Sequence, residues 1–319
     1  MSYDEQTVIE KFFRHLGAVR TDVALGIGDD AALLRAQPGC ELVQTIDVLV
    51  EDVHFLADST ARSLGHRALA VNLSDLAAMG ARPCWALLSL TLPRIDVDWL
   101  GEFAAGFGIL ARTHEVALVG GNLSRGPLTI TVQLTGQVPV GTALRRGGAR
   151  ADDDLWVSGT LGDASVGRSL LAKPRGEAQA DWLRARFEFP TPRVALGEAL
   201  RGVASACIDL SDGMLADAPR LASASGCGLS LDVDQLPVST ALRACGGGFA
   251  WQHALQGGED YELCFSAPAA QTPTLISLSA QLAVPLQRCG KVQSTAGLEL
   301  RRGADVIQFS HSPFDHFSS

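Results

Sequence analysis

Lysine is scarce in this 319-residue chain, and its charge balance is acidic. Only three lysines occur, and the formal net charge is -9 at pH 7. Nucleic-acid binding requires clustered Lys and Arg, and because the basic residues here are scattered, no nucleic-acid partner is expected. The motif G-x-x-x-x-G-K-[ST] is missing, which excludes a P-loop ATPase, and so is the catalytic-loop pattern of protein kinases.

Paired cysteines and long apolar runs are missing as well. The seven cysteines are widely spaced and form no C-x-x-C, so neither a disulfide framework nor a zinc ribbon is indicated. The N-terminus carries Asp4, Glu5 and Glu10 where a signal peptide would need an apolar run, which predicts a cytoplasmic location. Three prolines interrupt the uncharged stretch 263–287, so we expect a strand, a turn and a helix there, and no membrane partner.

The length and the composition favour a two-domain globular protein of mixed α and β structure. A chain of 319 residues exceeds the size at which one hydrophobic core stops growing. With 47% hydrophobic residues, 33 glycines and 14 prolines, it suits many short elements joined by turns. A segment rich in glycine and arginine over 141–154 predicts a boundary between domains 1–150 and 151–319.

Two aspartates interrupt apolar patterns in the first half of the chain. The apolar run over 42–50 predicts a strand in which Asp47 is the one charged residue. In the helix predicted over 61–79, Asp75 shares the apolar, inward face. A buried carboxylate is costly unless it is paired or coordinated, so both aspartates are candidates for metal binding or for an ion pair with an arginine such as Arg67 or Arg82.

Two glycine turns also carry aspartates. In Gly28-Asp29-Asp30, glycine lets the backbone approach a ligand, and carboxylates are hard oxygen ligands of the kind that Mg²⁺ prefers, although a plain surface turn fits too. The segment 209–213 lies between the end of an apolar strand and the start of a helix, so we expect its carboxylates and backbone N–H groups to face the same opening. The alternative there is a helix N-cap formed by Ser211 or Asp212.

Other polar segments are ambiguous when each is taken alone. The segment 257–262 sets three carboxylates beside two glycines, which suits a ligand site or a hairpin turn. The triplet 120–122 is predicted to be a turn at the end of a short strand over 117–119. His54 has a packed or surface role by default, and Arg146 is solvated by default, yet arginine suits bidentate phosphate contacts.

The recurrence of aspartates is more informative than any one of them. Aspartates recur at strand ends, in glycine turns and on apolar faces in both halves of the chain. An acidic protein that handles phosphates needs a source of positive charge, and a bound divalent metal is the simplest one. The sequence therefore predicts a metal and phosphate site built on converging aspartates.

With these residues in place, the chain resembles the thiamine-monophosphate kinase family. Its superfamily includes aminoimidazole ribonucleotide synthetase, selenophosphate synthetase and a hydrogenase-maturation protein. The resemblance runs nearly end to end and rests on five motifs: GIGDD at 26–30, VNLSDLAAMGA at 71–81, IDLSDG at 208–213, GGEDYEL at 257–263 and FDHF at 314–317.

The resemblance implies a two-domain PurM-like fold of the α+β class. The N-terminal domain would bind ATP and Mg²⁺ and pair its sheet with that of a second copy, giving a homodimer with a shared barrel. ATP would lie in the cleft against the C-terminal α/β domain. The implied reaction is transfer of the ATP γ-phosphoryl group to thiamine monophosphate, which gives thiamine diphosphate and ADP. Because the acceptor is itself an ionised phosphate that needs no strong base, we predict direct transfer without a phosphoenzyme.

The resemblance also implies roles for individual residues, none of them as a catalytic acid or base. The implied Mg²⁺ ligands are Asp30, Thr45, Ile46, Asp47, Asp75, Asn122, Asp209 and Asp212. The implied ATP contacts are Gly121, Arg146 and Ser211, and the implied substrate contacts are His54, Glu259 and Phe314.

Two positions depart from the family pattern. Asn122 stands where the family has Asp, and Ile46 where it has Thr. Asparagine offers an oxygen without negative charge, and Ile46 offers only its backbone carbonyl, so we expect weaker metal binding at these positions. The alternative functions are another ATP-using member of the superfamily or a nucleotide-binding paralogue with weakened catalysis.

Overall fold

The structure is a computed structural model that describes residues 4–309, and it divides into two compact units. One unit comprises residues 4–76 and 81–141, and the other comprises residues 77–80 and 142–309. All seven cysteines are free thiols, as predicted. Within 4–309, no helix is long and apolar enough to cross a membrane. The cytoplasmic location stays a prediction.

The first unit begins with a short helical segment and contains a two-stranded sheet, a four-stranded sheet and two long helices. Its helical elements are α1 (Glu5–Val8), a π-helical turn (Ile9–Phe13), α2 (Ala61–Ala78), whose last two residues belong to the second unit, and α3 (Val97–Thr113). Its strands are β1 (Val23–Leu25), β2 (Leu33–Leu34), β3 (Cys40–Val50), β4 (Arg82–Leu92), β5 (Ala117–Arg125) and β6 (Thr129–Pro139).

The four long strands of the first unit form a sheet in the order β3-β6-β4-β5. The pairs β3–β6 and β6–β4 are antiparallel, and β4–β5 is parallel. Successive residues of a strand point to opposite faces. In β3, Thr45 and Leu49 face α2 and the core, whereas Leu42, Ile46 and Val48 are exposed on the other face.

Two predictions for this unit can be compared with the structure. The helix predicted over 61–79 is confirmed as α2. The turn predicted at 120–122 is wrong, because β5 continues through these residues to Arg125. The strands β4 and β5 stay paired through these residues because their register shifts between Ala86 and Leu87 of β4.

The second unit contains one seven-stranded sheet with helices. Its strands are β7 (Asp154–Ser158), β8 (Ala206–Leu210), β9 (Gly228–Asp232), β10 (Glu262–Ala267), β11 (Leu286–Gln293), β12 (Gly297–Arg302) and β13 (Asp305–Ile307). Its α-helices are α4 (Asp163–Ser169), α5 (Ala178–Glu188), α6 (Val194–Leu200), α7 (Met214–Ala224), α8 (Thr240–Gly246), α9 (Ala250–Gln256) and α10 (Thr272–Leu282).

The strand order in the second unit is β13-β12-β9-β11-β7-β10-β8. The strands predicted over 155–157 and 206–210 are confirmed as β7 and β8. Both are buried along their length, which explains why they are apolar without alternation. The strand, turn and helix predicted over 263–287 are confirmed as β10, a 3-10 turn and α10.

A buried ion cluster ties several elements of this unit together. The carboxylate of Glu262 is fully buried and accepts hydrogen bonds from the Ser158 hydroxyl at 2.6 Å, from Arg186 at 2.9 Å and from Arg193 at 2.6 and 2.5 Å. Burial alone would raise the pKa of Glu262, but the hydrogen bonds and charges of the two arginines hold that pKa below its ordinary value. The carboxylate therefore stays charged and links β10 to β7, to α5 and to the segment before α6.

We predict that Glu262→Gln destabilises the protein strongly. Removing one partner of a buried ion pair leaves the other charge uncompensated, so the free energy of unfolding measured in urea should fall by about 3–5 kcal/mol. Because the pKa of Glu262 is lowered in the fold, its contribution is present above its ordinary value of 4.5 and is lost as the pH falls through the folded value. The variant should therefore lose less stability than the wild type on acidification.

A matched control is Glu102→Gln, which removes the carboxylate of the exposed Arg62–Glu102 pair. Exposed pairs contribute little, so we expect no measurable change. Equal effects of the two substitutions would contradict the role assigned to Glu262.

Candidate active site

The exposed face of the first unit's sheet is the floor of a groove with a volume of about 1060 Å³. The turn between β1 and β2 forms one wall, and residues 120–123 of β5 form another. The structure thus brings Asp30, Gly121 and Asn122, all predicted site residues, to the same groove. All three are exposed.

The Gly28-Asp29-Asp30 turn is held by its own hydrogen bonding. Strands β1 and β2 pair as an antiparallel hairpin and bring the two ends of the turn together. The Asp30 N–H donates to Asp29 Oδ1 at 2.8 Å. Asp29 therefore shapes the turn, and Asp30 presents an exposed carboxylate to the groove.

A second group of predicted residues lies on the opposite face of the sheet. The Thr45 hydroxyl of β3 donates to Asp75 Oδ2 of α2 in a short hydrogen bond. Asp47, two residues along the strand, faces the same side, and all three residues are half-buried. Arg82, the predicted alternative partner of the aspartates, donates to Glu115.

Ile46 and Asn122 stand apart from the second group. The side chain of Ile46 is 62% exposed and lies on the groove face. Asn122 lies on that same face, because residues paired across strands share a face. Val48 pairs with Thr131, Thr131 with Ser89, and Ser89 with Asn122. Any metal contact of residue 46 would use its carbonyl, and β3 is an edge strand with carbonyls free of the ladder on one side.

His54 lies in the turn that follows β3. The Val50 N–H donates to His54 Nδ1 at 3.1 Å, and the His54 N–H donates to the Val50 carbonyl at 2.9 Å. A neutral ring that accepts at Nδ1 carries its proton on Nε2. The turn therefore fixes both the orientation and the tautomer of the imidazole.

In the second unit, Asp209 and Asp212 flank the start of α7. Asp209 is buried at the end of β8, and the Asp212 carboxylate accepts from Arg220 at 2.6 Å. The predicted N-cap by Ser211 or Asp212 is wrong, because Asp217 Oδ2 accepts the N–H groups of Asp212 and Gly213 at 2.9 and 3.0 Å. Burial raises the pKa of Asp217 to about 6.

Sequence reasoning missed Asp217. A signal for it exists, since acidic residues are common in the first turn of a helix, where they meet the exposed N–H groups. Because Asp217 accepts the N–H groups at the start of α7, the Asp212 carboxylate does not cap this helix and instead accepts from Arg220.

The three carboxylates of the segment 257–262 have different roles. Asp260 is buried and accepts the N–H groups of Gly162 and Ala164, at the start of α4, at 2.6 and 3.2 Å. Burial raises the pKa of Asp260 to about 8. Glu262 belongs to the ion cluster, and only Glu259 is half-buried. The segment joins α9 to β10, so the predicted hairpin alternative is wrong.

Two further predicted contacts complete the set. The side chain of Arg146 is exposed. Its backbone is fixed, because its carbonyl accepts from the Ser225 hydroxyl at 3.2 Å and the neighbouring Arg145 carbonyl accepts the Cys207 N–H at 2.8 Å. Phe314 lies outside the described residues.

The donor chemistry fits Mg²⁺. Within the described residues, no three His, Cys, Asp or Glu side chains are close enough to hold a metal ion by themselves. Mg²⁺ is usually held by one or two carboxylates together with substrate phosphates and waters. Thr45 and Asp75 offer a carboxylate beside a hydroxyl, joined by a hydrogen bond, which is a donor set of this type.

Comparison with known proteins places the whole chain among enzymes of one family. The model for the AIR synthase related protein, N-terminal domain, matches residues 28–138, and the model for its C-terminal domain matches residues 150–303. A thiamine-monophosphate kinase from Salmonella typhimurium is 42% identical over 324 aligned residues, covering 100% of both chains.

Solved structures agree with this similarity. The thiamine-monophosphate kinase from Stenotrophomonas maltophilia K279a has a TM-score of 0.85 at 47% identity and covers 88% of this chain and 92% of its own. AaThiL complexed with AMPPCP and TMP has a TM-score of 0.79 at 33% identity, with 91% and 92% covered. The predicted resemblance and the predicted mixed α/β fold with two domains of this type are thus confirmed.

We predict that Gly121→Ala is poorly tolerated. Gly121 has φ of +155°, and a Cβ there would lie 1.8 Å from the Leu88 carbonyl oxygen. The strands would have to separate, so the free energy of unfolding in urea should fall by about 2–3 kcal/mol more than in a control with strain alone. Gly141→Ala is that control, because Gly141 has φ of +76° but open space around it. Similar losses in both variants would contradict this account.

Proposed function

The chain belongs to the thiamine-monophosphate kinase family of AIR synthase related proteins, and on that premise we propose that it transfers the γ-phosphoryl group of ATP to thiamine monophosphate. The products are thiamine diphosphate and ADP. The observation that carries the proposal is the likeness to AaThiL, a relative of 33% identity whose structure contains AMPPCP and TMP. AMPPCP is an analogue of ATP, so that relative holds a donor analogue together with TMP.

The chemistry of the acceptor explains why no catalytic base is needed. The second pKa of a phosphate monoester is about 6, so the acceptor is largely ionised at neutral pH. Phosphoryl transfer then depends mainly on positioning and on electrostatic stabilisation. The chain's task is to hold two anions in line, and we propose that transfer is direct.

We propose that oxygen ligands in each unit, mainly carboxylates, hold Mg²⁺. The residues are Asp30, Thr45, Ile46, Asp47, Asp75 and Asn122 in the first unit, and Asp209 and Asp212 in the second. When bound, Mg²⁺ supplies positive charge that neutralises the phosphate oxygens. The Thr45 hydroxyl donates to Asp75 and fixes the orientation of its carboxylate. Asn122 brings an oxygen without charge and is the weaker ligand.

Contacts to the nucleotide come from three residues in this proposal. Gly121 is exposed on the groove in β5, where its backbone would contact ATP. Arg146 offers an exposed guanidinium on a fixed backbone, which suits phosphate oxygens. Ser211 directly precedes the start of α7, and its half-buried side chain would contact the nucleotide.

Contacts to thiamine monophosphate come from His54, Glu259 and Phe314. Glu259 is the half-buried carboxylate of its loop. Thiamine carries a thiazolium cation, so a carboxylate is electrostatically suited to this substrate.

We further propose that the protein is a homodimer in which the sheets of two first units face each other. Leu42, Ile46, Val48 and Leu87 are 52%, 62%, 43% and 41% exposed, respectively, on a single sheet face. Gln133 lies between Ile46 and Leu87 on this face, so apolar and polar side chains alternate across it, and several exposed apolar side chains on one face favour an interaction surface. A second copy presents the same patch and would cover it.

We predict that Asp75→Asn lowers kcat for thiamine diphosphate formation by about 100- to 1000-fold at saturating ATP and thiamine monophosphate. The amide keeps the shape of the side chain but removes the charge that attracts Mg²⁺. Raising the Mg²⁺ concentration should restore part of the activity. The control is Asp58→Asn, at an exposed loop position, which should leave kcat unchanged. Near wild-type turnover by the Asp75→Asn enzyme would refute the assignment.

We predict that Leu42→Glu shifts the protein from dimer to monomer in sedimentation velocity. A charge on the sheet face would be buried without a partner in the dimer and would therefore oppose association. Ile109→Glu makes a similar change on the exposed side of α3 and should leave the dimer intact. A Leu42→Glu protein that sediments as a dimer would count against the sheet-to-sheet interface.

A further inference from the structure

The loop 257–261 contains an unusual run of backbone conformations. Glu259 and Tyr261 have φ of +71° and +51°, in the left-handed region that residues with a Cβ rarely adopt. Such strained conformations persist only where the surrounding structure holds them, and they cluster at functional sites. Contacts with the rest of the second unit must therefore hold this loop in its strained conformation.

Backbone and side-chain bonds hold the loop on both sides. Asp260, between the two left-handed residues, turns inward and caps α4 through Gly162 and Ala164. The Glu259 N–H donates to the Ser211 carbonyl at 2.8 Å, and the Tyr261 N–H donates to the Leu210 carbonyl at 2.9 Å.

The loop also packs directly on the segment that precedes α7. A Cβ on Gly258 would lie 2.6 Å from the Ser211 carbonyl oxygen, so only glycine permits this approach. The loop is therefore seated on the proposed nucleotide segment. It has little freedom to move independently of Ser211.

The backbone conformation brings two side chains of the loop together. While Asp260 points inward, the Tyr261 hydroxyl donates to Glu259 Oε2 at 3.1 Å. The Tyr261 residue is only 8% exposed, so the phenol is held by packing. A glutamate side chain has several rotatable bonds and loses entropy when it is fixed, and a hydrogen bond from a rigid phenol fixes it before any ligand arrives.

We infer that Tyr261 is a positioning residue for the thiamine substrate, because its hydroxyl holds the Glu259 carboxylate in the orientation that receives the thiazolium cation. This inference rests on the proposed function. It adds a residue that does not touch the substrate itself. The hydrogen bond from Tyr261 to Glu259 would then contribute to the preference of this loop for a cationic substrate.

The test is a double-mutant cycle on Tyr261 and Glu259. Tyr261→Phe removes one hydroxyl and should raise KM for thiamine monophosphate about five- to tenfold. In the same variant, kcat and the KM for ATP should change less than about twofold. In a Glu259→Ala background, where the hydrogen-bond partner is already absent, adding Tyr261→Phe should change the KM for thiamine monophosphate less than about twofold. The melting temperature of Tyr261→Phe should stay near that of the wild type.

Ser205→Ala is the matched control. It also removes a hydroxyl that donates to a carboxylate in the same unit, because Ser205 donates to Asp153 at 2.6 Å, but neither residue bonds to the loop 257–261. This variant should lower the melting temperature without changing KM for thiamine monophosphate.

Two results would overturn the inference. An equal effect of Tyr261→Phe in both backgrounds would show that the hydroxyl does not act through Glu259. Equal increases in both KM values with a lower melting temperature would reduce Tyr261 to a purely structural role.

The inference and the proposed function can fail separately. If the wild type forms thiamine diphosphate and the cycle shows no coupling, only the inference fails. If the wild type forms no thiamine diphosphate, the proposed function fails. The inference is then still tested by measuring the Kd of thiamine monophosphate for the same four proteins by calorimetry. No binding of thiamine monophosphate by the wild type would overturn both.

Discussion

The carboxylate of Glu262 lies among buried groups that would be destabilised if it lost its charge. Two arginines and a serine hydroxyl surround it, and desolvated guanidinium groups need a negative partner. This requirement fixes the start of β10 against the end of β7, and the loop 257–261 therefore leads into the sheet from a fixed point. The strained backbone at Glu259 and Tyr261 depends on that anchor and on the Asp260 cap of α4.

Environment separates the carboxylates of this acidic chain into structural and functional groups. Glu262 is neutralised by arginine, and Asp217 and Asp260 are held by helix N–H groups. Asp75 accepts the Thr45 hydroxyl, and it is one of the carboxylates that we propose as Mg²⁺ ligands. With 26 Lys and Arg against 35 Asp and Glu, the chain has fewer cationic than anionic side chains, so metal ions are the natural supplement for binding phosphates.

Local patterns predicted those parts of the fold that depend on local packing. The helix over 61–79 and the strands over 155–157 and 206–210 follow from apolar spacing, and the structure confirms them. The strand β5 was predicted too short, because its passage through two glycines depends on pairing with β4, which no local pattern reveals.

The composition of the candidate site stays a prediction from the sequence, and its arrangement could be predicted only in part. The family motifs identified the aspartates, and the groove brings Asp30 together with Asn122. Sequence alone could not assign the helix cap to Asp217, since that requires a side chain to fold back on the backbone. It also could not separate Asp260 from Glu259, because left-handed φ angles decide which of the two points inward.

The central claim is direct transfer of one phosphoryl group between two bound phosphates, and a single-turnover reaction tests it most directly. The protein in excess is mixed with ATP labelled in the γ-phosphate, Mg²⁺ and thiamine monophosphate, and the reaction is quenched over time. We expect the label to pass from ATP to thiamine diphosphate with an equal amount of ADP and none on the protein at any time. Label that appears first on the protein, or only as inorganic phosphate, would contradict the account.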